Sequence, residues 1–280
     1  MKGLAASYAR DGIVHVPGAF AGWTDRLNTA FDDMLAAHRA GRPLPRLAAD
    51  PAVGPASADE DLRTGRAHLR NAAPHHPHLV DWAEKSPAAE LVARATGSAQ
   101  VQLWYDLWFC KQPSDAPADG ATPWHHDAPG HPFTGPAMPS LWIALADVGP
   151  DDAPLLTLRG SHLDPRLFRP PVATGKEHLP DPPGFAPLAA MQAALAEAPE
   201  RIQTWTVAAG DALIIHPMTW HASRPQRSNR RRLALTSRWL GNDLRWAPGP
   251  FSFPGFHGAA QGLAEGATPP VPFLPVLWPR

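Results

Sequence analysis

His125 and Asp127, in the stretch Trp124-His125-His126-Asp127, lie two residues apart. On a β-strand residues i and i+2 project from one face, so this spacing predicts an imidazole and a carboxylate aimed at a single point. About ninety residues on, the segment from Gly210-Asp211 to Ser223 offers two candidates for a third ligand, His216 and His221, and each has an arginine eleven positions beyond it, Arg227 or Arg232. His221 is preferred, because it opens a His-x-Ser element and because Arg232 opens an apolar strand. Arg227 sits instead among Pro225, Ser228 and Asn229, in a turn. Two imidazoles and one carboxylate on one face of an ion leave positions open opposite them, a ligand set suited to non-haem Fe(II). Any one histidine in a strand is ordinarily structural, and the chain has 14 of them; the weight lies on the ordered series.

The remaining composition narrows the class. The 25 basic and 26 acidic side chains give a formal net charge of −1, which offers no field for nucleic acid or an acidic membrane. A small-molecule partner is expected. The single cysteine, Cys110, excludes an internal disulfide and a cysteine zinc site, and its expected role is that of a small buried hydrophobe. No apolar stretch reads as a signal peptide or membrane span, so a cytoplasmic protein is expected; monomer and homodimer are equally compatible with the sequence. The 35 prolines and 22 glycines have no period and are interleaved with 11 tryptophans, which reads as many ordered turns around a β-core.

The elements that must position these residues follow from periodicity. Ile13-Val14-His15-Val16 reads as a strand. A helix capped by Thr24 repeats Leu27, Ala30, Phe31, Met34 and Leu35 at helical spacing and stops at Gly41 and Pro43. Residues 44–76 read as a loop. Two helical pieces follow, one around Val80-Asp-Trp-Ala and one from Ser86 to Gly97. From residue 100 the period becomes that of strands: 101–111, 140–147, 155–158, 202–207, 212–215 and 233–239. Residues 163–200 read as an insertion with one helix, Leu188 to Ala198. Short strands without intervening helices predict a mainly β fold with flanking helices and a jelly-roll core. The expected organisation is one domain over 1–280, with a largely helical part at 1–98, the jelly-roll core at 99–240 and a tail at 241–280 packed on that core.

In order, Asp11-Gly12, Lys111-Gln-Pro, Trp124-His-His-Asp127, Trp142, Gly160-Ser-His162, Gly210-Asp211, His221-Ala-Ser223 and Arg232 resemble the phytanoyl-CoA dioxygenase family of Fe(II)/2-oxoglutarate oxygenases. The resemblance runs to about Trp239. It implies a double-stranded β-helix and the cofactors Fe(II), 2-oxoglutarate and O2. It places the metal ligands on His125, Asp127 and His221, and the anchor of the remote 2-oxoglutarate carboxylate on Arg232. A buried carboxylate is tolerable only when paired, and a guanidinium offers it a two-pronged partner. Ser223, two past His221, is expected to add a hydroxyl. Leu107 and Trp142 are expected to line the co-substrate pocket, with Tyr105 and Lys111 sharing the parity of Leu107, and Arg70 is expected to add a basic group from the segment before the barrel. For the primary substrate the candidates are His126, Trp124, Trp220 and Trp239, with core packing the alternative for each tryptophan.

The activity implied is hydroxylation of an unactivated C–H of a small metabolite, with 2-oxoglutarate converted to succinate and CO2. Asp127 stands where related halogenases carry a small residue, which favours hydroxylation over halogenation. Desaturation, epimerisation or cyclisation by the same core remains open, as does a non-catalytic, cupin-like metal-binding protein that takes up a ligand. No basic cluster is placed for the phosphates of an acyl-CoA.

Overall fold

The change of period near residue 100 separates helices that cover a sheet from the strands that make it. In the computed structural model, residues 3–61, 65–112, 121–170, 181–253 and 262–279 are described. In chain order the helices and strands are α1 (Leu4–Asp11), β1 (Ile13–Val16), α2 (Thr24–Arg39), β2 (Ser57–Asp61), β3 (Arg66–Arg70), α3 (Pro77–Lys85), α4 (Ala88–Thr96), β4 (Val101–Lys111), β5 (Thr122–His125), β6 (Phe133–Thr134) and β7 (Ser140–Ala144). Then come β8 (Leu155–Leu158), β9 (Leu167–Phe168), β10 (Phe185–Ala186), α5 (Leu188–Glu197), β11 (Ile202–Trp205), β12 (Ala212–Ile215), β13 (His221–Ser223), β14 (Arg232–Leu240), β15 (Arg245–Trp246) and β16 (Val276–Trp278).

The major sheet runs β1-β12-β7-β14-β4-β3-β2, with β16 added to β4, and the minor sheet runs β11-β8-β13-β5. Together they form a jelly roll. Alternation along the strands divides its cores. Trp108, Cys110, Leu141, Ile143, Leu233 and Leu235 face outward and pack on α2, α3 and α4, where Leu27, Phe31, Met34 and Trp82 are fully buried. Trp142, Ala144, Leu155, Leu213, Ile215 and Ala234 face inward, between the sheets. Buried aliphatic and aromatic groups of this size each contribute roughly 1.5–3 kcal/mol. Among the described residues no helix is long and apolar enough to cross a membrane.

Several expectations are corrected. Residues 44–76 are not all loop: β2 and β3 form an antiparallel pair that extends the major sheet through β4. Polar β2 (Ser-Ala-Asp-Glu-Asp) reads as loop in sequence because it lies on the sheet's edge, where side chains stay solvated. The helix α1 precedes β1, and the span 241–280, read as irregular, contributes β15 and β16. Thr24 is the first residue of α2, and its hydroxyl donates to the Ala21 carbonyl instead of capping the helix. Parts of the long connections, residues 171–180 and 254–261, lie outside the described residues.

Candidate metal centre and co-substrate cavity

β5 and β13 pair antiparallel with His125 directly opposite His221, so the two imidazoles meet with ring centroids 4.1 Å apart. Asp127 reaches them by a different route from the expected one. The strand ends at His125, and Asp127 begins a turn of 3-10 helix over Ala128–Gly130. The Ala128 N–H donates to the Pro217 carbonyl, which ties that turn to the segment leading into His221. One ligand atom from each of His125, Asp127 and His221 lies within 4.8 Å of the others. His221 Nε2 is 3.8 Å and His125 Nε2 4.0 Å from Asp127 Oδ1.

The surroundings fix which atoms face the centre. His125 Nδ1 is 2.9 Å from the Pro123 carbonyl and His221 Nδ1 is 2.9 Å from the Thr219 carbonyl, each two residues upstream. A carbonyl accepts only, so Nδ1 carries the proton and Nε2 presents its lone pair. Burial, then the neighbouring imidazole, pushes His125 down to about 4, and burial lowers His221. Both are neutral, as a ligand requires. Asp127 Oδ2 accepts from Ser140 Oγ at 2.5 Å and from Arg238 Nη2 at 2.9 Å, leaving Oδ1 toward the histidines. Burial alone would raise this carboxyl, but Arg238, with His221, His131 and His125, holds it well below the usual range.

From the centre a cavity of about 110 Å3 runs between the sheets, lined by Phe109, Thr122, Trp142, Leu155, Ile215 and Thr236. Arg232 closes it. The residue is 4 % exposed; among the described residues its guanidinium, 5.4 Å from the Trp142 ring centre, makes no ion pair and leaves Nε without a partner. Burial lowers it to about 10. Lys111 stands opposite Arg232 in register, with Nζ 3.3 Å from Ser223 Oγ, and burial followed by Arg232 and Arg66 brings it down to about 7. The Arg232 guanidinium at this cavity, with Lys111 behind Ser223, favours an anion there.

Other expected site residues are placed elsewhere. Phe109, not Leu107, stands in the cavity wall; Leu107 packs toward Tyr105 and the Trp104 cluster. Arg70 lies on β3 opposite Leu107 and pairs with Asp59 at 2.9 Å, away from the cavity. His126 turns away from the centre and accepts the Phe168 N–H on Nε2 at 3.0 Å. Trp124 and Trp220 pack with Phe168 and Leu158 beneath α5. Trp239 faces outward against Trp82, its N–H donating to Ser237 Oγ. His216 stacks near Tyr8 and His162, away from the ligand cluster. Arg230 and Arg231 pair with Asp152 and Asp32.

Three groups beside Asp127 were not found in the sequence. Arg238 shares the parity of Arg232 along β14, and that signal was present in the spacing. Ser140, two before Trp142, carried the same signal. His131 had none: it follows the 3-10 turn, is buried with both ring nitrogens unpartnered among the described residues, and is held at about 3 by burial.

The family model described as phytanoyl-CoA dioxygenase (PhyH) matches residues 8–234, and the chain belongs to this family of Fe(II)/2-oxoglutarate-dependent oxygenases. Its cofactors are Fe(II) and 2-oxoglutarate, with O2 as co-substrate. Among solved structures the chain is similar to the non-heme alpha ketoglutarate dependent carbocyclase SnoK from nogalamycin biosynthesis, at 19 % identity and TM-score 0.68, covering 99 % of this chain and 96 % of that one. It is similar to the epimerase SnoN in complex with Fe3+, alpha ketoglutarate and nogalamycin RO, at 23 % identity and TM-score 0.68, covering 98 % and 97 %. A third is EctD from S. alaskensis with 2-oxoglutarate and 5-hydroxyectoine, at 17 % identity and TM-score 0.62, covering 90 % and 80 %. At these identities the likeness is one of fold. No curated protein matches the sequence.

Proposed function

We propose that His125, Asp127 and His221 hold Fe(II), that Arg232, Lys111 and Ser223 hold the remote carboxylate of 2-oxoglutarate, and that the protein hydroxylates a C–H of a small organic molecule. The observation that carries this reading is the pairing, in the lining of one cavity, of a preorganised His-Asp-His cluster with a buried arginine that makes no ion pair among the described residues. The donor set fits the ion, with two neutral imidazoles and one charged carboxylate. When bound, iron with 2-oxoglutarate and O2 supplies the oxidation, the acid leaving as succinate and CO2.

The chain's own residues do the rest. The Pro123 and Thr219 carbonyls lock the imidazole tautomers, and Ser140 and Arg238 occupy Asp127 Oδ2 so that Oδ1 is the donor. Arg232 and Lys111 neutralise the co-substrate's charge where water is scarce, and Phe109, Leu155 and Ile215 keep it scarce. Trp142 supports the Arg232 guanidinium in place.

Anaerobic addition of Fe(II) and 2-oxoglutarate should produce a visible charge-transfer band, which Asp127→Ala and His221→Ala abolish and Arg232→Ala weakens by raising the 2-oxoglutarate requirement. A wild-type protein that binds metal but gives no band and consumes no 2-oxoglutarate would favour the non-catalytic metal-binding reading. Gain of one oxygen in the product supports hydroxylation; loss of two hydrogens assigns desaturation or cyclisation instead, and an isomer of unchanged mass assigns epimerisation.

A further inference from the structure

His126 stands between His125 and Asp127 in the chain, and Trp220 stands immediately before His221. Both are buried, at 2 % and 1 % exposure, and one side chain from the insertion lies against both. That side chain is Phe168 of β9. Its ring is 5.2 Å from the Trp220 ring, edge on at 85°, and 5.7 Å from the His126 ring at 60°. Its backbone N–H donates to His126 Nε2 at 3.0 Å in a buried setting. With Nε2 accepting, the ring proton of His126 sits on Nδ1. His126 is thereby committed through Nε2 to the insertion, whereas His125 and His221 turn the same atom to the centre.

β9 is itself held. It pairs with β10, Ala186 opposite Phe168, and α5 follows directly. Met191 and Leu195 of α5 share one buried cluster with Leu158, Phe168 and Trp220. The Trp220 backbone is fixed as well, its N–H donating to Ser161 Oγ at 2.8 Å and its carbonyl accepting the Leu158 N–H at 3.0 Å. β9 also lies against the 3-10 turn that Asp127 opens. The Gly130 carbonyl of that turn accepts the Phe253 N–H at 2.8 Å, and the neighbouring Phe251 ring is 5.3 Å from Phe185 of β10.

The consequence for the ligands is mechanical. Peptide units are planar, so restraining His126 restrains the two planes from which His125 and Asp127 spring. Restraining Trp220 does the same for His221. An apolar residue at 126 could fill the space but would leave the Phe168 N–H buried without an acceptor, which packing alone does not require.

We propose that Phe168 and His126 are positioning residues of the metal centre: through the His126 hydrogen bond and the Trp220 ring contact, β9 sets the spacing of His125, Asp127 and His221. The proposal rests on the reading of this triad as a metal centre, and the two fail separately.

The test titrates the metal-free full chain with Co(II), reading both the affinity and the visible ligand-field spectrum, which reports coordination geometry. His126→Leu removes the acceptor and Phe168→Ala removes the ring; each should weaken Co(II) by roughly tenfold and alter the spectrum. His126→Gln, whose amide oxygen can accept the Phe168 N–H, should restore most of the loss and the wild-type spectrum. Leu195→Ala thins the same apolar cluster but spares both rings and the hydrogen bond. It should lower the melting temperature and leave Co(II) affinity and spectrum unchanged. Wild-type affinity and spectrum in both His126→Leu and Phe168→Ala overturn the proposal. So does a His126→Gln protein no better than His126→Leu, or a Leu195→Ala protein that loses as much affinity as Phe168→Ala. A wild type that takes up no Co(II) overturns the metal-centre reading instead.

Discussion

Arg238 and Lys111 put the same charge to opposite uses. Arg238 is buried against one carboxylate oxygen, so removing it leaves the charge of Asp127 without its cation, with only the Ser140 hydroxyl on Oδ2, in the metal-free protein. Arg238→Met should destabilise the metal-free form by roughly 2–4 kcal/mol. A bound Mn(II) ion would replace the lost partner, so thermal melts with and without Mn(II) should show a larger loss in the metal-free form. Equal losses in both would mean that Arg238 serves packing alone. Lys111, brought down to about 7, titrates in the working range. A bound dicarboxylate raises it again, so binding above pH 7 takes up a proton, and the apparent KM for 2-oxoglutarate should rise as pH passes through 7. Lys111→Met should start from a higher KM and lose that pH dependence. His125, Asp127, His221 and Arg232 were legible because each chemistry has a fixed spacing. His131 was not, because a turn residue brought in by tertiary contact carries no period.

At the level of elements, the short stretch before β13 is what presents His221, and it is anchored on Gly12. The Gly12 carbonyl accepts from the His216 N–H and from Thr219 Oγ1 at 2.8 and 2.7 Å. Gly12 has φ 75°, and a Cβ there would overlap Thr219 Oγ1 and the His162 ring. Gly12→Ala should therefore cost about 1–3 kcal/mol and also weaken metal binding, measured by denaturation and by Co(II) titration. Gly97→Ala is the control: φ is 72° but the space is open, so strain appears without a change in metal affinity. The long strands were readable, since β4, β7, β12 and β14 have side chains committed to two faces. The β2–β3 pair was not, since an edge strand of Ser-Ala-Asp-Glu-Asp buries too little to leave an apolar pattern. The 3-10 turn at Asp127 shows a right convergence reached through a wrong local geometry: two strand residues were expected, and a strand end plus a turn does the same work.

For the molecule as a whole, both sheets must close for the cavity to exist, because its lining comes from β4 and β14 on one side and β5, β8 and β13 on the other. Binding of metal with 2-oxoglutarate is therefore expected to stabilise the fold as a unit. Differential scanning calorimetry should show a single transition raised by several degrees when both are present, consistent with about 2.7 kcal/mol at a hundredfold excess over Kd, and by less with 2-oxoglutarate alone. Two separate transitions would show that the helical part and the barrel melt independently.

Gln102 fastens the chain at Val271 and Leu274, and Asn71 and His75 fasten it at Gly54, which has a bearing on how such a protein diversifies. None of these three belongs to the metal cluster or to the Arg232 end, and the stretch around residues 271–277 is held besides by β16 pairing on β4 and by Val271, Phe273 and Leu274 in the Trp104 cluster. A chimera that exchanges the stretches around residues 47–55 and 271–277 with those of a relative while keeping Gln102, Asn71 and His75 should therefore keep its iron site, read as an unchanged charge-transfer band.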